Sequence, residues 1–164
     1  MTIAVDGNPK TIQEIAKVAF DREQVEIPPE TWNKMQASRQ IVEDIVSHKN
    51  RVYGINTGFG KFADVAISVE NIRKLQTNLV LSHAVAVGEV FSEAEVRAAM
   101  FLRANALAKG MSGIRPEVVQ TLCDLLNKNV VPHVPQQGSV GASGDLAPLS
   151  HISLVLLGKG HAFY

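Results

Sequence analysis

Hydrophobic residues recur along most of the chain at the three- and four-residue spacing of amphipathic helices. Two of these stretches begin with a capping box, Thr11 with Glu14 and Ser92 with Glu95, in which side chains and backbone N–H groups pair reciprocally. The second of these helices is predicted to extend through Ala108. Further helices are predicted over residues 29–47, from Ser68 to about His83, and from Pro116 to about residues 127–129.

Extended and loop segments separate the predicted helices. Two short strands are expected near the start of the chain, at Ile3-Ala-Val5 and Val25-Glu-Ile27. Residues 52–63 are glycine-rich and lack helical spacing, so they are predicted to form a loop, and Pro132 and Pro135 impose an extended connection. The pattern predicts one mainly α domain over residues 1–164, with one or two short strands and no internal repeat.

Charge balance and cysteine content narrow the class of protein. Lysine plus arginine and aspartate plus glutamate both number 16, so the formal net charge is zero and no basic excess indicates nucleic-acid binding. Near-neutrality removes one barrier to self-association, which favours a homo-oligomer. Cys123 is the only cysteine, so no internal disulfide forms, and its apolar helical surroundings predict a buried structural thiol.

The sequence favours a cytoplasmic protein without a metal cofactor. Its start lacks the charged segment and apolar run of a signal peptide, and its longest apolar runs fall short of the roughly 20 residues that span a bilayer. The five histidines show no paired spacing of zinc ligands, and no acidic cluster suits a hard cation. We therefore expect neither a membrane-spanning segment nor metal catalysis.

The tripeptide Ala142-Ser143-Gly144 can undergo covalent chemistry on its own backbone. Attack of the Gly144 amide nitrogen on the Ala142 carbonyl carbon closes a five-membered ring, and loss of water makes that ring an imidazolone. Elimination of the Ser143 hydroxyl as a second water leaves an exocyclic methylene, an electrophile that no standard side chain supplies. Glycine suits this closure because it has no Cβ to obstruct the approach of its nitrogen to a carbonyl.

A helix is predicted to begin directly after the tripeptide. Asp145 is a suitable N-cap, Pro148 fits the first turn, and the apolar run that follows ends at Gly158. The unpaired N–H groups and partial positive charge at a helix start stabilise anionic character on a nearby electrophile. The alternative interpretation is an ordinary glycine-rich turn that leads into a buried helix.

Four blocks of the sequence together resemble one known family. They are, in order, Arg51–Lys61, Leu75–His83, Leu107–Arg115 and Gly138–His151. These blocks are similar to those of the aromatic amino acid ammonia-lyases, and most like those of the histidine ammonia-lyases, whose methylidene-imidazolone (MIO) forms autocatalytically from Ala-Ser-Gly. The resemblance covers almost the entire chain but only about the first third of a family member. It implies the N-terminal helical domain of the ammonia-lyase (fumarase/aspartase-like) fold, with a glycine-rich lid loop and without metal or nucleotide.

Tyr53 lies in the glycine-rich loop, where a tyrosine taken alone is more often a packing residue. The loop lacks the spacing of phosphate-binding and dinucleotide-binding loops, because Phe62 and Ala63 stand where a Ser or Thr and a third glycine belong. The resemblance implies that Tyr53 is the base that removes the β-proton of the substrate. It also implies that the loop, with Gly60, is a mobile lid that carries this tyrosine over the site.

Ser82 and His83 end a predicted helix, where the simplest role of the histidine is to interact with free backbone carbonyls. In the family this pair resembles the substrate-selectivity position, which is Ser-His in histidine lyases. Tyrosine-using relatives tend to have His-Leu there, and phenylalanine-using relatives Phe-Leu. An imidazole can both donate and accept hydrogen bonds, so it suits recognition of a second imidazole. The pair therefore favours L-histidine as the substrate.

The resemblance implies non-oxidative deamination of L-histidine to trans-urocanate and ammonia. In that reaction the amine of the substrate, or alternatively its ring, adds to the electrophile derived from Ser143. Tyr53 removes the β-proton and His83 orients the imidazole. Asp145 supports the loop in the conformation that closes the ring. The resemblance also implies a tetramer whose active site is completed by later regions of the chain and by neighbouring subunits. The 164-residue chain alone is therefore expected to be inactive, and its Ala-Ser-Gly tripeptide is expected to remain uncyclised.

Two alternatives remain open. The first keeps the chemistry and changes the substrate or product, as in a tyrosine or phenylalanine ammonia-lyase or an aminomutase. The second is a non-catalytic helical fragment that only self-associates, because helices taken from a larger bundle expose apolar faces.

Overall fold

The computed structural model describes residues 2–48, 51–58, 65, 67–140, 144 and 146–164. These residues are mainly helical, and the helices occur where the hydrophobic spacing predicts them. They are α1 (Ile12–Ala19), α2 (Pro29–Ser47), α3 (Val69–His83), α4 (Glu93–Leu107), α5 (Pro116–Asn127) and α6 (Leu146–Leu156). No helix among these residues is both long and apolar enough to cross a membrane.

Both predicted capping boxes are confirmed. At the start of α1 the Thr11 hydroxyl accepts from the Glu14 N–H at 3.2 Å, and the Glu14 carboxylate accepts from the Thr11 N–H at 2.8 Å. Ser92 and Glu95 make the same pair of bonds at the start of α4, at 3.4 and 2.8 Å. Each pair satisfies two of the N–H groups that a helix start leaves without a partner.

Among the described residues, short strands pair in three places. The predicted β1 (Ile3–Ala4) and β2 (Val25–Glu26) are confirmed and run parallel. Four further strands, which the sequence pattern does not predict, form two antiparallel pairs. β3 (Val87–Val90) pairs with β5 (Pro135–Gln137), and β4 (Val131–Pro132) pairs with β6 (Ala162–Phe163).

Helix α4 lies at the centre of the core and packs against α1 and α5. Met100, Phe101 and Ala104 of α4 are fully buried, as is Cys123 of α5. Burial raises the pKa of the Cys123 thiol to about 12. The thiol is therefore protonated and unreactive at neutral pH, which confirms the predicted structural cysteine.

Arg97 of α4 is buried in this core beside the ends of two helices. Its Nε donates to the Val18 carbonyl of α1 at 3.0 Å, and its Nη1 donates to the Leu126 carbonyl of α5 at 3.0 Å and to Asn129 Oδ1 at 3.2 Å. Both carbonyls belong to last helical turns, where most carbonyls lack an intrahelical donor. The Leu126 carbonyl also accepts from the Asn129 N–H at 3.2 Å. Burial lowers the pKa of the guanidinium, because it disfavours the charged form. The three hydrogen bonds offset this cost and allow the arginine to occupy the core.

Candidate functional site

Two distant parts of the chain meet beside the tripeptide. Strand β3 begins shortly after α3 ends, and it pairs with β5, which leads into the tripeptide loop. The following residue, Gly138, has φ of +148°, and a Cβ built there would lie 2.8 Å from the Cα of Ala86. Only a glycine permits this approach, because a Cβ at that distance would overlap the neighbouring backbone. The segment after α3 and the loop before α6 are therefore in direct backbone contact.

A cleft of about 230 Å³ opens where these segments meet. It lies between the end of α3 and the start of α6, two helices that pack against each other. The described residues that line it are Ser82, His83, Val85, Gly138, Ser139, Val140, Gly144, Leu146 and Ala147. The structure thus brings the Ser-His pair predicted from sequence together with the last residue of the tripeptide.

The hydrogen bonds of His83 fix which ring nitrogen carries a proton. Its Nδ1 lies 2.7 Å from the Leu79 carbonyl oxygen, which can only accept, so Nδ1 is the donor. The Ser82 hydroxyl donates to the same carbonyl at 2.9 Å, and its oxygen lies 3.1 Å from Nδ1. In the neutral ring Nε2 is then an acceptor. His83 can therefore contact the Leu79 carbonyl through Nδ1 and still offer Nε2 to a ligand.

Gly144 has a backbone conformation that favours glycine, with open space beside it. Its φ is +92°, in the left-handed region, and a Cβ built there would meet nothing within 4 Å. Its carbonyl accepts a hydrogen bond from the Leu146 N–H at 3.1 Å, at the start of α6. Ala142, Ser143 and Asp145 lie outside the described residues. The ring itself and the predicted Asp145 cap therefore stay predictions.

Tyr53 lies in a turn and is 64% exposed. It is not among the described residues that line the cleft. Its segment is attached to the fold through buried Asn56, which accepts from the Val52 N–H through its side chain and from the Ile67 N–H through its backbone, both at 2.9 Å. Gly60 lies outside the described residues. The proposed roles of Tyr53 and of a lid stay predictions.

His151 is a residue of this region that the sequence pattern does not single out. It lies on α6, and its Nε2 accepts a hydrogen bond from the Ala86 N–H at 3.2 Å. A histidine within an apolar helix indicates that its imidazole is half-buried and hydrogen-bonded. The sequence pattern does not identify the partner, which lies 65 positions away. The structure thus adds one side chain that joins the two walls of the cleft.

A larger and mostly apolar groove, of about 600 Å³, adjoins the cleft. The two share Ser139 as a lining residue. Its other lining residues are Phe91, Glu95, Val96, Ala99, Leu102, Arg103, Val134, Gln136, Pro148, Leu149 and Ile152. Residues of α4 form one wall of this groove and residues of α6 another.

Comparison with known proteins identifies the family and supports the fold. The family model for aromatic amino acid lyases matches residues 10–164. A histidine ammonia-lyase from Caldanaerobacter subterraneus is 53% identical over 162 residues, which are 99% of this chain and 32% of that protein. The crystal structure of tyrosine aminomutase from Streptomyces globisporus superposes with a TM-score of 0.91 at 38% identity, covering 100% of this chain and 31% of that one.

Histidine ammonia-lyase from Trypanosoma cruzi is similar in structure as well, with a TM-score of 0.90 at 38% identity over 99% of this chain and 30% of its own. The chain spans about a third of the length of the relatives that it matches. The helical architecture agrees with that of these relatives. The match over residues 10–164 shows that the chain belongs to the aromatic amino acid lyase family.

Proposed function

We propose that this chain forms the first third of a histidine ammonia-lyase, which converts L-histidine to trans-urocanate and ammonia without an oxidant. The observation that carries this proposal is the cleft in which Ser82 and His83 face the same space as Gly144. The name of the Caldanaerobacter subterraneus relative, at 53% identity, supports the same substrate. Because the chain spans 32% of that relative, the activity is proposed for the longer polypeptide.

The cofactor proposed for this site is the methylidene-imidazolone of Ala142-Ser143-Gly144. The open space and left-handed φ at Gly144 fit a backbone nitrogen that must approach a nearby carbonyl. When formed, this group supplies an electrophile that makes the amine of the substrate a better leaving group. The N–H groups at the start of α6 provide electrostatic stabilisation beside it.

His83 is proposed to recognise the imidazole of the substrate. With Nδ1 donating to Leu79, the neutral ring offers Nε2 as an acceptor for an imidazole N–H. Tyr53 is proposed to act as the base that accepts the β-proton. The electrons of that C–H bond form the double bond between the α- and β-carbons, and the bond from the α-carbon to nitrogen breaks with its electron pair on the departing nitrogen. Since Tyr53 is exposed and lies outside the lining of the cleft, this role requires its loop to close over the bound substrate.

A chimera tests the proposal. Residues 1–164 would replace the matching first third of the Caldanaerobacter subterraneus enzyme, expressed in a host without a lyase of its own, and urocanate would be followed by its ultraviolet absorbance. We expect the chimera to produce urocanate and Ser143→Ala to reduce the rate to background. His83→Leu should lower kcat/KM by roughly 10- to 100-fold, the effect of one lost hydrogen bond to the substrate. An inactive chimera that folds and assembles would contradict the proposal.

The alternative substrate assignment has support in the likeness to a tyrosine aminomutase. The same chimera separates the two when it is supplied with L-tyrosine and L-phenylalanine. Replacing Ser82-His83 by His-Leu should shift preference away from histidine. An unchanged preference for histidine would show that the pair does not select the substrate.

Intact-mass measurement tests the cofactor separately from activity. Ring closure and elimination of the Ser143 hydroxyl each remove one molecule of water, so a chain that carries the electrophile is lighter by two waters. The Ser143→Ala variant has no hydroxyl to eliminate and can lose at most the one water of ring closure. In the chimera we expect the lighter mass. In the isolated 164-residue chain we expect the uncyclised mass, because compression of the loop requires surrounding structure.

A further inference from the structure

The hydrogen bond between Ala86 and His151 joins the two halves of the cleft. The amide of Ala86 donates to Nε2 of His151 at 3.2 Å, across 65 positions of sequence. Ala86 is buried and His151 is half-buried, so solvent competes poorly for this bond. A buried amide that loses its acceptor lowers the stability of the folded state. The bond therefore helps to hold the two segments together.

The position of this bond relates it to both functional elements. Ala86 follows the Ser82-His83 pair by three residues, and His151 lies on α6, which begins directly after the tripeptide. Gly138, which leads into the tripeptide, contacts the backbone of Ala86 as well. Ala86 is therefore contacted by residues on both sides of the tripeptide loop. We therefore expect loss of this contact to shift Ser82 and His83 relative to Gly144.

The bond also specifies the state of the imidazole. A backbone N–H can only donate, so Nε2 of His151 carries a lone pair and the proton of the neutral ring is on Nδ1. Burial lowers the pKa of His151, and the neighbouring His133 lowers it further. Both effects favour the neutral ring, which is the form that can accept from Ala86.

We propose that His151 is a positioning residue that sets the placement of His83 relative to Gly144 and the start of α6, through the hydrogen bond from the Ala86 N–H. The inference rests on the proposed function, since it concerns the same cleft. His151 itself need not touch the substrate, because its effect passes through the backbone of residues 84–86. Misplacement of a bound substrate by a fraction of a bond length lowers the rate of a step more than it weakens binding.

The first test uses the 164-residue chain and needs no activity. Long-range nitrogen–proton NMR should find the His151 ring neutral with its proton on Nδ1, and the Ala86 amide should be protected from hydrogen exchange. His151→Gln retains a side-chain oxygen that can accept from Ala86, whereas His151→Leu does not. Protection of Ala86 should persist in the Gln variant and be lost in the Leu variant. A His151 ring protonated on Nε2 in the wild-type chain would overturn the proposal, whatever the variants do.

The second test uses the chimera. His151→Leu should lower kcat by roughly tenfold or more while KM for L-histidine changes by less, and His151→Gln should recover most of the rate. His161→Leu, an exposed histidine elsewhere in the chain, is the matched control and should leave both constants unchanged. Equal kcat values in the Leu variant and the parent, or equal losses in Leu and Gln, would overturn the positioning role. Failure of the proposed function is distinct, because the parent chimera itself would then be inactive.

Discussion

The guanidinium of Arg97 supplies hydrogen bonds to the last turns of α1 and α5 from a fully buried position. Among the described residues it forms no ion pair, and its Nη2 has no hydrogen-bond partner. A buried cation in this state is stabilised by carbonyl dipoles at helix ends rather than by a carboxylate. Arg97 therefore acts as a shared C-terminal cap for two helices.

Truncation of this side chain should destabilise the protein strongly. Arg97→Ala leaves the Val18 and Leu126 carbonyls without these donors and opens a cavity, so we expect the free energy of unfolding to fall by roughly 3 kcal/mol. Urea denaturation followed by circular dichroism measures this change. Arg103→Ala, on the exposed side of the same helix, is the control and should change stability by less than about 0.5 kcal/mol. Equal losses in the two variants would show that the buried hydrogen bonds are not responsible.

Single residues differ in how far the sequence reveals them. Ser82 and His83 lie in a block that resembles the family's sequence, which marks them as candidate site residues. The structure places both in the cleft beside Gly144. His151 and Arg97 stand out in no pattern, because what matters for each is a partner that the fold supplies from another segment. Tyr53 is the opposite case. The resemblance predicts a catalytic role for it, but its side chain is exposed and is not among the described residues that line the cleft, so that role requires a different position of its loop.

The sequence predicts best those secondary-structure elements whose signals lie within a few neighbouring residues. Capping boxes and periodic apolar residues lie within a few positions of each other, and α1 and α4 begin where those signals occur. The β3–β5 pair was not predicted because its strands are short and come from separate segments. The residues Val87–Val90 are mostly exposed and show no alternation of buried and exposed side chains, so no periodic signal marks them.

The backbone contact between Gly138 and Ala86 should be sensitive to a single methyl group. In Gly138→Ala the added Cβ overlaps the Cα of Ala86, so one of the two segments must move. We expect the free energy of unfolding to fall by about 2 kcal/mol, which lowers Tm by several degrees in differential scanning calorimetry.

Gly158→Ala is the matched control for this substitution. Gly158 also has a positive φ, of +68°, but a Cβ there would meet nothing within 4 Å. It therefore carries the conformational cost of a left-handed residue, about 1 kcal/mol, without the overlap. If both variants lose the same stability, the close approach at Gly138 has no energetic consequence.

At the scale of the whole molecule, the groove between α4 and α6 leaves apolar surface in contact with solvent. Leu102 in its lining is 44% exposed. A dye such as anilinonaphthalene sulfonate binds exposed apolar surface, so the native 164-residue chain should enhance its fluorescence. Leu102→Glu should reduce that enhancement several-fold. Ile12→Glu, at a site that is 80% exposed on α1 and lies outside the groove, should leave it unchanged.

The pairing of β3 with β5 has a consequence for the order of events during folding. The whole of α4 and α5 lies between the two strands in sequence, so the strands meet only after those helices have closed a long loop. The segments that flank the tripeptide therefore meet late, and we expect cyclisation, where it occurs, to follow folding of the helical core. In an enzyme that forms its electrophile in this way, the fraction of chains that carry the ring would be a covalent record of how many assembled the complete native structure. Core substitutions far from the cleft would then lower the yield of active sites without altering the rate at each one.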